Sequence, residues 1–195
     1  MEVRFERPSY SLLREIRELD HQCYNNINIP YKWYKYRYID LEGILVARID
    51  NRIIGYCSII GIDRQILNLM KDGMFIDDYS ISHKAYKKLY EVDTFYLSSI
   101  VVLPEERNKG IGENLLKEAI DNISNYSKEY EIVALAISDS GLKVTEKVGF
   151  KRLLCVEDVS IMLFSSKINR ILKDRGINWW VCMIIWMEIK LNVFQ

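Results

Sequence analysis

The sequence has 195 residues, of which 49% are hydrophobic and 28% are charged. A chain of this length fits one domain, and the hydrophobic share is high enough to build a buried core and to exclude a wholly disordered protein. Lys plus Arg and Asp plus Glu are equal at 27 each, so the formal net charge is zero, which argues against a basic nucleic-acid-binding protein.

The cysteines, histidines and apolar stretches indicate which kinds of site and which cellular location to expect. The four cysteines lie far apart and there are only 2 histidines, so we expect no disulfide framework and no metal site. The N-terminus carries charges where a signal peptide has an apolar region. The longest apolar stretch, Trp179–Met187, is about half as long as a membrane span needs. These features predict a cytoplasmic protein that binds no membrane.

The N-terminal half predicts a helix, a hairpin and a less regular segment. Apolar residues recur at helical spacing over Ser9–Tyr24. Two runs rich in β-forming residues, Glu42–Ile49 and Arg52–Ile62, are separated by a turn-forming Asp-Asn pair and predict a β-hairpin. Asp63–Glu91 shows only helical patches and contains an acidic loop, Met74–Tyr79.

Strands and helices alternate in the next part of the chain. Asp93–Leu103 is rich in β-forming residues, and a helix with an apolar stripe follows over Ile111–Ile123. Glu131–Ser138 has the near-continuous apolar run of a strand buried on both faces. A short helix over Gly141–Lys147 and a strand over Phe150–Val156 complete the pattern. This order predicts an α/β fold with a mixed sheet.

The C-terminal segment allows two interpretations. In the first, Val159–Phe164 is the last strand and the rest is an appended tail. In the second, Ser166–Asp174 is a helix and Trp179–Leu191, which ends in a period-two alternation, is the last strand. We favour the second, because its tryptophans need a core to cover them. The same aromatic segment could instead cover a partner's sheet edge, which would give a homodimer.

The segment Pro104–Leu116 (PEERNKGIGENLL) places a glycine-containing loop between a strand and a helix. The N–H groups of a first helical turn have no partner inside the helix and carry partial positive charge, which suits a phosphate or pyrophosphate. Gly110 and Gly112 lack a Cβ, so phosphate oxygens can approach the backbone. Arg107 and Lys109 can add charged donors from the rim. The segment therefore predicts a diphosphate site that needs no net positive charge.

Neither common nucleotide motif fits this loop. A dinucleotide fingerprint would need a third glycine where Leu115 stands, and a P-loop would need Gly-Lys-Ser/Thr. The stretch Ser99–Gly112 (SIVVLPEERNKGIG) instead resembles motif A of the GCN5-related N-acetyltransferase (GNAT) superfamily. Lys147–Phe150 (KVGF) resembles the K-x-G-F block of that family, and the resemblance is strong across Asp93–Leu153.

The resemblance implies one GNAT-like domain over residues 1–195, with an α/β (α+β) fold whose mixed, mostly antiparallel central sheet is flanked by helices. Residues 1–90 would supply N-terminal helices, the hairpin and an acceptor-side insertion, 93–156 the acetyl-CoA-binding core, and 157–195 a C-terminal segment whose course stays open. In the family the motif A loop binds the pyrophosphate of acetyl-CoA, and the end of the preceding strand pairs with the pantetheine arm. The implied coenzyme-binding residues are Ile100, Val101, Val102, Arg107, Asn108, Lys109, Gly110, Ile111, Gly112 and Glu113.

The resemblance also implies a reaction. An acetyl group would pass from acetyl-CoA, the cosubstrate, to a primary amine by direct attack on the thioester, without a metal. A base or a water path must take the proton of the amine, and the developing oxyanion needs a donor. In the family the thioester lies where the strand before motif A splays from the next strand, and a backbone N–H of the first strand polarises the carbonyl. Here that donor would lie near Ile100–Val102.

The side chains at the family's catalytic positions depart from its pattern. Thr145 stands where many members have a tyrosine acid, Ser138 where many have an asparagine, and Tyr96 where histone-acetylating members have a glutamate base. Thr145 or Ser138 could position a water, Tyr96 could line the acceptor site or relay a proton, or the enzyme could rely on proximity alone. The alternative is that Thr145 is a helix surface residue and Tyr96 a packing residue.

Two further features are candidates for the acceptor side. Asp77 and Asp78 could hold an ammonium group, although a solvated turn is the simpler interpretation. The run Tyr31–Tyr38 alternates aromatic and cationic residues. It predicts a second helix flanking the acceptor cleft, with Tyr34 at the cleft, and otherwise an amphipathic helix with its rings in the core. An RNA-binding surface built on the same run is the least favoured alternative.

Two functional hypotheses follow. The leading one is an acetyl-CoA-dependent N-acetyltransferase, and zero net charge favours a small-molecule amine over nucleic acid or a nucleic-acid-bound protein as its partner. The competing one is a non-catalytic acyl-CoA-binding or sensing module. The absence of a tyrosine at Thr145 keeps the second hypothesis open.

Overall fold

The computed structural model of the chain describes residues 2–24, 40–75, 82–167 and 169. Within these ranges, 8 strands form one sheet in the order β1-β2-β3-β5-β6-β8-β7, with β4 paired to β3. The strands are β1 (Arg4–Glu6), β2 (Ile44–Ile49), β3 (Arg52–Ile62), β4 (Tyr86–Lys87), β5 (Thr94–Val102), β6 (Glu131–Ala136), β7 (Lys151–Val156) and β8 (Val159–Ser165). The α-helices used below are α1 (Leu13–Cys23), α2 (Arg64–Lys71), α3 (Ile111–Ile123) and α4 (Asp139–Val148).

The sheet is mixed and mostly antiparallel. β2 and β3 form the predicted hairpin, and β3 pairs with β5 in antiparallel register. β5 and β6 run parallel, which requires the long crossover connection that α3 provides. β6, β8 and β7 continue the sheet in antiparallel pairs. The predicted fold class is therefore confirmed.

Helices cover both faces of the sheet. Neighbouring residues of a strand point to opposite faces, so Gly55 and Tyr56 on β3 tell the faces apart. A Cβ at Gly55 would lie 3.4 Å from Leu115 Cδ1 of α3, whereas the Tyr56 hydroxyl contacts Asp20 of α1. α3 therefore packs on one face and α1 on the opposite face, and these are called the α3 face and the α1 face below.

The predicted apolar stripe of α3 is buried against the sheet. Its buried members are Ile111, Leu115, Leu116, Ala119, Ile120 and Ile123. Burying each large aliphatic side chain contributes about 1.5–3 kcal/mol relative to leaving it exposed. This packing fixes the N-terminus of α3 beside the end of β5, where the glycine loop lies.

Two other predicted helices are present in the structure, with ends that differ from the prediction by a few residues. The helix predicted over Ser9–Tyr24 begins as a 3-10 turn and continues as α1, and the one predicted over Gly141–Lys147 is α4, which ends at Gly149. At the C-terminus, β8 is a strand of the sheet. The favoured last strand, Trp179–Leu191, lies outside the described residues. Each described helix falls short of the length and apolar character that crossing a membrane requires.

Candidate functional site

The loop between β5 and α3 exposes backbone N–H groups to open space. Gly110 begins the helix with a φ of +78°, a conformation that L side chains rarely adopt. An ideal Cβ placed on Gly110 would meet no atom within 4 Å. The N–H of Asn114 bonds to the Gly110 carbonyl at 3.0 Å, so the N–H groups of Ile111, Gly112 and Glu113 precede the helical ladder. The loop thus presents the backbone donors that a diphosphate needs.

Arg107 ties this loop to the end of β5. Its Nε donates to the Val102 carbonyl at 3.1 Å. Lys109, on the same loop, pairs with Glu106 at 2.8 Å, and Asn108 has a φ of +64°. The two cations predicted for the rim are therefore both on the loop, with Arg107 placed against the strand end.

Glu113 in the first turn of α3 brings a carboxylate close to the same helix end. It pairs with Lys117 at 2.7 Å and with Lys147 of α4 at 3.7 Å. The hydrogen bond from Lys117 lowers the pKa of the Glu113 carboxyl, and the charges of both lysines lower it further. The helix N-terminus consequently carries an ionised group whose charge two lysines compensate.

β5 and β6 separate just before this loop. Their parallel register runs from Thr94↔Glu131 to Leu97↔Ala134, yet β5 continues to Val102. At the separation, the register of β5 with β3 shifts so that Ser58 faces Ser99 and Ile59 faces Leu97, which leaves Ser98 as an extra residue. Within the described part of the chain, no strand pairs with β5 on its β6 side beyond Leu97. A gap therefore opens between the two strands.

Backbone direction in β5 determines which groups face the gap. The Leu103 N–H bonds toward β3, to the Ile54 carbonyl, at 2.9 Å. Strand N–H groups alternate in direction, so those of Val102 and Ile100 point toward the gap and that of Val101 toward β3. The Val102 carbonyl points the same way as its N–H and accepts from Arg107 of the loop. Two of the three predicted backbone positions can therefore donate to a ligand in the gap.

Cys23, at the end of α1, lies beside the same strand end. Its Sγ is 3.7 Å from the Val102 carbonyl oxygen. Burial raises the pKa of the Cys23 thiol, and the nearby Arg107 offsets this only in part. The thiol is therefore protonated at neutral pH.

Two of the predicted catalytic side chains, Ser138 and Thr145, form hydrogen bonds within α4, and their catalytic roles stay predictions. Ser138 is the N-cap of α4, where its Oγ accepts from the Gly141 N–H at 3.2 Å. The Thr145 hydroxyl is within hydrogen-bond distance of the Gly141 and Leu142 carbonyls, at 3.0 and 2.9 Å. Thr145 is only 3% exposed, so its interpretation as a helix surface residue is wrong. Thr145 is the buried residue of α4, and its hydroxyl bonds back to carbonyls of the same helix.

Tyr96 lies in the paired part of the sheet. It is 3% exposed and faces Val133 in the parallel register. It belongs to a second buried cluster together with Leu67 and Met70 of α2. This position agrees with the packing interpretation. The predicted acceptor-side residues Asp77, Asp78 and Tyr34 lie outside the described residues.

Sequence reasoning missed a buried polar group on the α1 face. The Tyr56 hydroxyl lies 2.6 Å from Asp20 Oδ1 and 3.1 Å from Ser99 Oγ, and the Tyr24 hydroxyl lies 3.3 Å from Ser99 Oγ. Asp20 has no exposed surface. A signal was present in the sequence, because Asp20 follows Ile16 by four positions and so shares its apolar helix face.

Comparison with known proteins identifies the family. The sequence matches the Acetyltransferase (GNAT) family over residues 13–150, and no curated protein matches it. The fold is similar to the loading GNATL domain of CurA from Lyngbya majuscula (TM-score 0.63, 17% identity, covering 85% of this chain and 97% of that one). It is also similar to arylalkylamine N-acetyltransferase 2 from Aedes aegypti (TM-score 0.60, 14% identity, covering 85% and 100%). A third similar structure is YncA from Salmonella typhimurium, solved with acetyl-CoA (TM-score 0.57, 18% identity, covering 85% and 95%).

At these identities the solved structures show the fold alone. The family match adds to this, because it runs from the start of α1 to Phe150 and so includes the splayed strands and the glycine loop. The chain therefore belongs to the GNAT family of acetyltransferases.

Proposed function

We propose that the protein is an N-acetyltransferase that moves an acetyl group from acetyl-CoA to a primary amine by direct attack on the thioester. The observation that carries this proposal is the open backbone at Gly110, at the end of a strand that has separated from its neighbour. The loop from Arg107 to Glu113 would hold the pyrophosphate through backbone N–H groups and the Arg107 and Lys109 cations. YncA, with the same fold, was solved with acetyl-CoA.

The gap supports the chemical step. The Ile100 and Val102 N–H groups point toward it and can stabilise negative charge on a thioester oxygen. A preorganised donor of this kind acts only on the charge that develops during attack, and so favours the transition state over the bound substrate. Holding a reactive thioester beside an amine supplies a further part of the rate enhancement.

The acceptor and the setting of the reaction are parts of the same proposal. A small-molecule amine is favoured because a formal net charge of zero gives no general attraction to an acidic macromolecule. Asp77, Asp78 and Tyr34 stay our proposed acceptor-side residues. We further propose that the chain is one domain over residues 1–195, acts in the cytoplasm without nucleic acid or membrane, and can pair as a homodimer.

One observation favours a second function. The Thr145 hydroxyl, at the position of the usual tyrosine acid, is buried and directed at carbonyls of its own helix. It is therefore poorly placed to protonate a leaving thiolate. A protein that binds acyl-CoA without turnover, as a sensor does, would need no such acid.

A turnover assay separates the two functions. The protein is incubated with acetyl-CoA and a panel of 2-phenylethylamine, spermidine, glucosamine and a short peptide with a free N-terminus, and free CoA thiol is followed over time. Amine-dependent thiol release supports the acetyltransferase. Thermal stabilisation by CoA without thiol release on any of these amines supports the sensor.

A further inference from the structure

A chain of buried hydroxyl and carboxyl groups leads from the gap into the α1 face. Its members come from three elements: Asp20 from α1, Tyr56 from β3 and Ser99 from β5. Ser99 follows the extra residue at which β5 leaves β6, and it precedes Ile100, whose N–H points toward the gap. The chain therefore begins at the point where the thioester would lie and ends at a carboxyl group that is fully buried.

The two faces of the gap are occupied differently. The glycine loop and α3 lie on one face, as the contact between α3 and Gly55 shows, whereas Ser99 contacts Tyr56 and Tyr24 on the opposite face. A coenzyme held by the loop leaves the α1 face for the second substrate. An amine that attacks the carbonyl from this face approaches β5 at Ser99, of which 5% is exposed.

We propose that Ser99, Tyr56 and Asp20 form a relay that removes the proton of the attacking amine. This inference rests on the proposed acetyltransferase function. As the N–C bond forms, the amine nitrogen gives its proton to Ser99 Oγ, Ser99 gives its own to the Tyr56 oxygen, and Tyr56 gives its own to Asp20 Oδ1. The C–S bond breaks, and the CoA thiolate leaves with the electron pair. Asp20 ends protonated and returns its proton to solvent along the same path.

The geometry suits this direction of transfer. The Tyr56 oxygen lies 2.6 Å from Asp20 Oδ1, a short distance typical of a phenol that donates to a carboxylate. The Tyr56 hydroxyl is placed to donate to Ser99 Oγ at 3.1 Å as well as to Asp20. It has one proton, so when that proton is directed at Asp20 the Tyr56 oxygen becomes an acceptor, and the transfer requires the Ser99 hydroxyl to turn toward it.

Other titratable groups lie near the relay among the residues that the structure describes. They are Cys23 and Tyr24 at the end of α1, with Arg107 of the loop beyond Cys23. Burial raises the pKa of Cys23, so its thiol is a weak competitor for the proton-accepting role. Ser99 and Tyr24 are joined at 3.3 Å, so Tyr24 can orient the first member of the relay.

The test uses Asp20→Asn, Tyr56→Phe and Ser99→Ala in the full chain. Tyr130→Phe is the matched control, because Tyr130 is also a buried tyrosine, its hydroxyl bonds to the Ile120 carbonyl at 3.4 Å, and burial raises its pKa to about 12. The measurements are kcat as a function of pH with the panel amine that the unaltered protein acetylates fastest, the Kd of acetyl-CoA, and the melting temperature.

We expect Asp20→Asn and Tyr56→Phe to lower kcat by about 10²-fold or more, within the range of general base catalysis, with an unchanged Kd for acetyl-CoA. Both should also remove the limb of the profile on which kcat rises with pH, and Ser99→Ala should do so in part. Tyr130→Phe should keep both the rate and the limb.

Two results would overturn the relay. One is a kcat in Asp20→Asn and Tyr56→Phe that stays within about two-fold of the unaltered protein. The other is a lower kcat that keeps the original pH limb, since a purely structural role gives this outcome. If Asp20→Asn does not fold, Tyr56→Phe decides, because phenylalanine keeps the packing of the ring. An unaltered protein that binds acetyl-CoA but acetylates no amine would instead refute the proposed function, and the relay with it.

Discussion

On the α3 face of the gap, where we propose that the coenzyme binds, the proposed ligand-binding groups are mainly backbone atoms of one continuous segment. On the α1 face, the proposed acceptor side, the corresponding groups are side chains from α1, β3 and β5 that meet only in the folded chain. A loop of the first kind depends on glycine and on helix geometry, so few substitutions are compatible with its function. A cluster of side chains from separate elements can be replaced by other residues while the fold stays the same. This difference fits a chain whose glycine loop resembles motif A of the family while Thr145, Ser138 and Tyr96 depart from the family's catalytic pattern.

The largest expected effect comes from changing the coenzyme side at Gly110. Gly110→Val should weaken CoA binding by about 10²-fold, equivalent to about 2.7 kcal/mol, because the new side chain occupies the space open to the phosphates. The strain of a branched residue at this positive φ should lower stability by only about 1–2 kcal/mol. Calorimetric titration and thermal melting measure the two effects.

Gly73→Val is the matched control for this strain. Gly73 also has a positive φ, of +73°, but its Cβ would lie 2.8 Å from Val156 Cγ2, away from the loop. We expect it to lose more stability than Gly110→Val and to keep its CoA affinity. Equal CoA affinities in the two variants would contradict the site.

A smaller effect is expected at the link between the loop and the strand. Arg107→Ala removes a cation and the bond to the Val102 carbonyl, and should weaken CoA binding by about ten-fold, more at low salt than at high salt. Arg52→Ala is the control, because Arg52 pairs with Glu105 at 2.7 Å and not with the strand end. Titrations at two salt concentrations check this, and a similar loss in both variants would show that loop charge alone matters.

Cysteine alkylation probes the boundary between the two sides. Since the pKa of Cys23 is raised by burial, iodoacetamide should label it slowly at neutral pH and faster as the pH rises. CoA bound along β5 should slow this labelling several-fold, while labelling of the exposed Cys155 stays the same. Peptide mass spectrometry measures both rates in one sample. Unchanged labelling of Cys23 at saturating CoA would mean that the coenzyme does not reach the end of α1.

The smallest effect is expected at Thr145. Because its hydroxyl bonds only within its own helix among the described contacts, Thr145→Val should change kcat by no more than about two-fold. A steady-state assay at saturating acetyl-CoA checks this. A large fall in kcat with unchanged CoA affinity would restore Thr145 as a catalytic residue.

The features that could be predicted from the sequence are those that depend on residues close together in the chain. The hairpin of β2 and β3, the stripe of α3 and the loop at Gly110 each follow from the spacing of neighbouring residues, and all three lie where predicted. The predictions for single side chains were weaker. Thr145 looked exposed because a helix of ten residues shows its buried face poorly in the sequence, and its burial becomes visible only in the folded chain.

The acceptor side could not be predicted in the same way. Asp20 and Ser99 are separated by most of the N-terminal half, and they approach each other only because α1 packs on the face of the sheet where β3 and β5 pair, with Tyr56 of β3 between them. The extra residue at Ser98 also shifts the faces of β5, so that simple alternation from Thr94 misplaces Ser99. The one sequence feature that indicated the cluster of Asp20, Tyr56 and Ser99 was the position of Asp20 on the apolar face of a predicted helix.

Calorimetric titration of the folded protein with acetyl-CoA and with free CoA tests the coenzyme site most directly. We expect saturable binding of both at one site per chain, abolished or strongly weakened by Gly110→Val and kept by Gly73→Val. Absence of binding heat for both ligands, with a normal melting transition, would contradict the account.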